Sequence, residues 1–208
     1  MGLRILVWFW LAFVVPPNAA VDADQDTIRT SAGTRFVRLG HTELSSASAK
    51  LELSLFVDSA AGRRAFPALV MRSGGSDRSR LNADDHAQTF VIWGHFGKLL
   101  ALRPNGKLSA AELNQLFGDA LRAGFKEAPH DLEHLLEALH PMYENDLSPS
   151  DEIVVRSLPS GQLVIERPGE TQLILRNPKL VRLWWNAWLG ERAPTRRALV
   201  EHIEVLGQ

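Results

Sequence analysis

The last third of the chain constrains the fold most, because short strand-like runs there lead into a helix whose two ends are both marked. Residues 151–157 and 162–166 are rich in β-branched and aliphatic side chains, and Pro159, Ser160 and Gly161 lie between them. Proline, serine and glycine together are typical of a turn. The pattern predicts a β-hairpin.

A third strand and a helix follow this hairpin. Residues 171–175 form another apolar run. Asn177 is a favourable N-cap, Pro178 suits the first helical position, and Gly190 is typical of a helix end. We therefore predict a helix between Asn177 and Gly190.

The rest of the chain mixes strands and helices. A capping box at Ser109 and Glu112 opens a helix with an apolar face. The alternation in residues 50–57 predicts a half-buried strand with the apolar Phe56 on its polar face, so both faces are expected to be covered.

Further predictions are strands at 27–30, 35–39 and 98–103, helices at 130–142 and 195–205, a helix at 60–71 interrupted at Pro67, and a surface loop at 72–80. Residues 89–93 fit either a helix or a strand. The pattern predicts an α+β fold, a sheet with helices packed on one face.

The N-terminus reads as a targeting segment. Arg4 precedes a short apolar run, and small residues offer cleavage after Ala20 or Ala23, so residues 1–20 are expected to be a signal peptide. The apolar run is too short to span a bilayer. We expect one domain over residues 24–208, without a membrane span, in the periplasm or secreted.

Charge and composition exclude several classes. The formal net charge is −1 and the basic residues are scattered, whereas a nucleic-acid binder usually has a basic stripe. Cysteine is absent, which excludes thiol catalysis and cysteine metal sites.

His130 and His134 formally satisfy the zinc-peptidase pattern H-x-x-E-H. Helical periodicity points both away from the apolar face that Leu132 defines, and no third ligand is evident. A solvated helix face is the favoured interpretation, so no metal or cofactor is expected.

The helix after Asn177 carries Trp184, Trp185 and Trp188. Trp184 and Trp188 are four residues apart on one helical face, where they suit core packing. Trp185 leaves that face by about 100°, so the alternative is that it lines an apolar pocket.

The order of these elements resembles the C-terminal half of the chalcone isomerase-like family, in which such a hairpin and strand precede a helix that ends in a large apolar pair and glycine. Here that ending is Trp188, Leu189 and Gly190. Upstream, residues 107–114 match a helix that the family opens after a strand. The resemblance implies an open-faced antiparallel β-sheet with a layer of helices on one face, and a ligand between sheet and helices.

The resemblance also implies site residues. Arg35 matches an arginine that meets the carboxylate of a fatty acid or the phenolic oxygens of a chalcone; the alternative is an exposed arginine in a surface ion pair. Phe56 stands where the family has a strand tyrosine. Asn114 and Thr171 fall near a helical asparagine and a threonine that contact ligand.

Two departures argue against flavonoid cyclisation. Phe56 replaces the family's strand tyrosine, and Lys107 and Leu108 occupy the region of its catalytic tyrosine. The single tyrosine, Tyr143, lies in another segment. The leading hypothesis is an exported protein that binds a small hydrophobic carboxylate without catalysis. The alternatives are an isomerase acting on a chalcone-like or other enone substrate, a structural or partner-binding module of the cell envelope, and, last, a zinc hydrolase.

Overall fold

The order of the strands across the sheet follows their order along the chain. The computed structural model describes residues 26–30, 33–46, 48–73, 81, 85–127, 129–167, 169 and 172–208. Within them, seven strands form one antiparallel sheet: β1 (Thr27–Arg29), β2 (Arg35–Ser45), β3 (Lys50–Asp58), β4 (Lys98–Pro104), β5 (Ile153–Ser157), β6 (Leu163–Glu166) and β7 (Leu173–Leu175). The predicted signal peptide lies outside the described residues.

Helices pack on one face of the sheet, and helical segments connect β3 to β4 and β4 to β5. They are α1 (Ser59–Arg72), α2 (Asp85–Trp93), α3 (Ala110–Ala123), α4 (His130–Leu139), α5 (Pro178–Leu189) and α6 (Arg196–Leu199), with 3-10 segments at His140–Tyr143 and Ile203–Gly207. Helix α5 contacts α2, α3, α4 and α6, and is therefore the centre of the helical layer. No helix formed by the described residues is both long and apolar enough to cross a membrane.

The elements with clear local signals are confirmed. The hairpin is β5 and β6, and the strand after it is β7. Asn177 caps α5 by accepting the N–H of Lys179, and Gly190 follows the last residue of the helix. Ser109 and Glu112 form both bonds of the capping box.

Two elements continue beyond the positions at which the sequence predicts their end or interruption. β2 continues to Ser45, because residues beyond Leu39 pair with β3 after a bulge. α1 runs through Pro67 instead of stopping there. Proline removes one helical hydrogen bond, and the buried face that includes Gly62 and Phe66 keeps the helix on the sheet.

The predicted helix at 195–205 is divided into α6 and the last 3-10 segment. The bulge in β2 leaves Leu39 outside the strand pairing, and its carbonyl accepts the N–H of His202 at 2.7 Å. Gly40 lets the two backbones meet, since a Cβ there would lie 2.0 Å from the carbonyl oxygen of Ala198. This contact between the chain end and β2 interrupts the helix.

Both faces of the sheet are covered by apolar side chains, as the alternation around Phe56 predicts. Leu51, Leu53, Leu55 and Val57 face the helices and join one large core with them. A smaller cluster lies on the opposite face: Ile28, Phe36, Phe56, Leu99, Ala101 and Val154. Any ligand between sheet and helices therefore meets the first set and not the second.

Candidate functional site

Arg35 is the first residue of β2, at the end of the sheet where β3 leads into α1. A tight turn presents it: the N–H of Gly33 donates to the carbonyl of Thr30 at 2.8 Å, and Gly33 has a φ of 80°. That conformation favours glycine. Val37 faces the helices, and alternation along β2 places Arg35 on the same face.

Arg35 borders an open hollow of about 540 Å³ between the β1–β2 turn and the start of α1. The lining residues are Gly33, Thr34, Arg35, Asp58, Ser59, Ala60 and Arg63. Asp58 caps α1 by accepting the N–H of Ala61 at 2.9 Å. Two guanidinium groups thus face one carboxylate that is already engaged, so the hollow favours an anion.

Apolar packing begins directly inside this hollow. Val57 precedes Asp58 on β3 and is fully buried. Next to it, Leu206 packs beneath α1 at Gly62, where an added Cβ would lie 2.7 Å from the Leu206 side chain. The end of the chain therefore fills the space between α1 and the sheet.

Two of the other predicted site residues, Phe56 and Asn114, do not line the hollow beside Arg35. Phe56 is buried within the small apolar cluster, on the face of the sheet opposite the helices of the described residues. Asn114 lies on the exposed side of α3. Thr171 lies outside the described residues. Ligand contacts by these residues remain a prediction from the resemblance alone.

Lys98, which sequence reasoning missed, is a buried cation on the helix-bearing face. Its Nζ donates to the carbonyls of Val91, Ile92 and Gly94 at 2.9 to 3.0 Å, which ties the end of α2 to β4. Burial lowers the pKa of Lys98 to about 8. A cation at a helix C-terminus is favourable, so bonds to the last carbonyls offset part of the burial cost, and the lowered pKa reflects the part that remains.

The pairing of the strands relates the two cations. Val57 pairs with Val37 on one side and with Lys98 on the other. Arg35 lies two residues before Val37, so the Cα atoms of Arg35 and Lys98 are about 12 Å apart by strand geometry. A sequence signal for Lys98 did exist: it shares a strand face with Leu100 and Leu102, where an apolar residue is expected.

The tryptophans of α5 are buried in the helix-bearing core. Trp184 and Trp188 pack against each other and against Phe117, with ring centroids 5.3 to 5.5 Å apart. The Lys98 Nζ lies 5.5 Å from the ring centroid of Trp185. All three indole N–H groups are buried without an acceptor among the described residues. Such donors gain free energy from any oxygen that reaches them.

A second surface groove, of about 270 Å³, runs between the β2–β3 hairpin and α3. Glu112 and Asp119 line it, above an apolar floor that includes Leu116. Hydrogen bonds from the Ser109 hydroxyl and N–H and from Ser48 lower the pKa of Glu112 to about 2. The groove stays negative at neutral pH and repels a carboxylate.

Three further side chains that could have a chemical role are His130, His134 and Tyr143. His130 and His134 lie on the exposed side of α4, as periodicity predicts, with ring centroids 5.8 Å apart. Among the described residues, no group of three or more potential ligands is placed to hold a metal. The Tyr143 hydroxyl donates to the carbonyl of Leu136 at 2.7 Å, and burial raises its pKa.

No protein-family model matches the sequence, and no curated protein matches it. Among solved structures, the chain is similar to the crystal structure of a fatty-acid binding protein from Arabidopsis thaliana, with a TM-score of 0.64 and 12% sequence identity. The similarity covers 88% of this chain and 100% of that one. The seven-stranded antiparallel sheet with its layer of helices is a chalcone isomerase-like fold, as the family resemblance implies.

Proposed function

We propose that the protein binds a small hydrophobic carboxylate, such as a fatty acid, and does not transform it. One observation carries the proposal: the Arg35 and Arg63 side chains flank an open hollow that adjoins the apolar interior under α1. The similar Arabidopsis structure is that of a fatty-acid binding protein, which supports the same class of ligand.

In the proposed complex, the carboxylate lies in the hollow and accepts hydrogen bonds from the guanidinium of Arg35. Arginine stays charged at all relevant pH values and presents a planar fork of donors. Among the described residues, Arg35 has no ion-pair partner that must first be displaced. A charge-assisted bond of this kind contributes about 1.5–3 kcal/mol.

The acyl chain extends from the hollow into the space that Leu206 fills. Leu206 belongs to a short 3-10 segment that takes no part in the sheet, so it can move without breaking the strand pairing. Displacing this leucine uncovers apolar side chains of the same core, including Val57 beside Gly62. Acyl carbons then replace the leucine contacts, and the apolar surface remains covered.

Isothermal titration calorimetry with a medium-chain fatty acid tests this function. Arg35→Ala is expected to weaken binding at least about tenfold, from the loss of one charge-assisted bond. Leu206→Ala is expected to strengthen it, because less side chain has to be displaced. Arg122→Ala, which removes an exposed arginine of α3 next to the negative groove, is the matched control and should leave affinity unchanged.

Native mass spectrometry of the purified protein, followed by lipid extraction, identifies any acid that it carries. Absence of binding for every chain length would overturn the proposed function. If Arg35→Ala binds the acid with unchanged affinity, the ligand class stands, but the carboxylate must bind elsewhere in the fold.

We also propose that the protein is exported to the periplasm or secreted, because residues 1–20 have the composition of a signal peptide. The mass and N-terminal sequence of the protein from separated cell fractions test this. A full-length chain in the cytosolic fraction would contradict it.

A further inference from the structure

The outward side of α1 is basic and partly apolar. Arg63, Arg64 and Arg72 are exposed there, and the helix contains no acidic residue. Met71 lies between them with 83% of its surface exposed. None of the three arginines has an ion-pair partner among the residues that the structure describes.

Helices α2 and α5 continue this surface. α2 contacts both α1 and α5, so the three helices lie side by side over the sheet. Trp93, the last residue of α2, is 52% exposed, and the guanidinium carbon of Arg182 on α5 lies 4.8 Å from its ring centroid. Lys179 adds another exposed cation on α5.

The helical layer is electrically divided. α1 and α5 carry five cations and no acidic residue. On α2, Asp85 is neutralised by an ion pair with Arg196. By contrast, α3 and α4 carry five acidic residues, and the single arginine there, Arg122, pairs with Asp119 and Glu133. The unpaired positive charge and the two large exposed apolar side chains therefore coincide on one half of the layer.

We propose that the surface of α1, α2 and α5 docks on a membrane rich in anionic lipids. An anionic bilayer attracts each Lys or Arg that lies close to its surface. Trp and Met insert at the boundary between head groups and acyl chains while arginine remains at the head groups. A soluble acidic partner would match the cations alone; a bilayer matches the cations and the exposed Trp93 and Met71 together.

Docking in this orientation brings Arg63, which borders the hollow beside Arg35, close to the lipid surface. In this one respect the inference rests on the proposed function, since it places the ligand entrance next to a source of acyl chains. Membrane docking itself requires no bound ligand, so the two proposals can fail separately.

Co-sedimentation of the delipidated protein with phosphatidylglycerol-containing vesicles tests the docking. We expect binding at low salt, little binding to pure phosphatidylcholine vesicles, and a decrease as salt rises, because salt screens surface charges. The double variant Arg64→Glu with Arg72→Glu should lower partitioning at least about tenfold. Trp93→Ala should lower it about threefold or more, from the loss of an interfacial aromatic.

The matched control reverses two cations on the other half of the layer, Arg122→Glu with Lys126→Glu, and should keep most of the binding. Circular dichroism checks that each variant is folded. Equal loss in both double variants would show that only total charge matters and would overturn the proposed surface. If the unaltered protein does not bind anionic vesicles at low salt, the proposal is overturned, and a soluble acidic partner becomes the better explanation of the basic surface.

Discussion

Arg35 and Lys98 are two cations on the same face and at the same end of the sheet, with opposite surroundings. Lys98 is 3% exposed, and all three of its N–H donors are used by carbonyls at the end of α2. Arg35 is exposed beside an open hollow. A buried cation whose hydrogen-bond donors are all used thus holds two elements together, whereas an exposed cation with donors to spare is available to a ligand.

Removing the buried cation should have the largest effect on stability. Lys98→Met leaves three carbonyls of α2 without their donor, although it also removes the cost of burying a charge. We expect a net loss of about 3 kcal/mol in the free energy of unfolding, measured by urea denaturation. Lys50→Met, which removes a half-exposed lysine paired with Glu43, should change it by less than about 1 kcal/mol. An equally small effect for Lys98→Met would contradict the view that Lys98 holds α2 on the sheet.

The pH dependence of stability should report on Lys98 between pH 8 and pH 10. Its pKa is about 8 in the folded state, against 10.5 in the unfolded state. Below pH 8 both states hold the proton; above it the folded state loses the proton first, so unfolding takes up a proton. The free energy of unfolding should therefore rise by about 2 kcal/mol across this window.

The raised pKa of Tyr143 acts in the opposite direction above pH 10, where the unfolded state ionises first and stability falls. Lys98→Met should abolish the rise below pH 10 and leave this decline. Urea denaturation at several pH values measures both. A rise that persists in the variant would assign it to another group.

Arg35→Ala should have the smallest effect on stability. The side chain is exposed and bonds to no other element among the described residues, so we expect a change within about 0.5 kcal/mol in urea denaturation. The same variant is expected to lose ligand affinity, which separates a binding role from a structural one. A destabilisation as large as that of Lys98→Met would place Arg35 in the scaffold.

The sequence predicted the elements whose signals are local. The hairpin of β5 and β6, the cap at Asn177 and the capping box at Ser109 depend on residues close together in the chain, and all are present. The division of the last helix depends on a distant contact, between His202 and Leu39, which no local pattern reveals.

The candidate site was predictable to a smaller extent. Arg35 was identified through the family resemblance, and strand alternation gives its face. Phe56 was expected beside a ligand, yet alternation puts it on the face opposite Val57 and the helices. Lys98 was not identified as a site residue, because it lies in an apolar run and its partners are backbone carbonyls, which leave no signal in a sequence.

The chain-ordered sheet places its shortest strands at its two borders. β1 and β7 have three residues each, and β2, β3 and β4 lie between them. β1 covers only the first three residues of β2, so on that side the rest of β2 has no strand partner among the described residues. The N–H of His202 uses the Leu39 carbonyl there, and the backbone at Ala198 lies against Gly40, which shields part of an edge where a neighbouring molecule could add a strand. Two copies crowded together on a lipid surface would therefore find a template for strand addition mainly beyond Gly40.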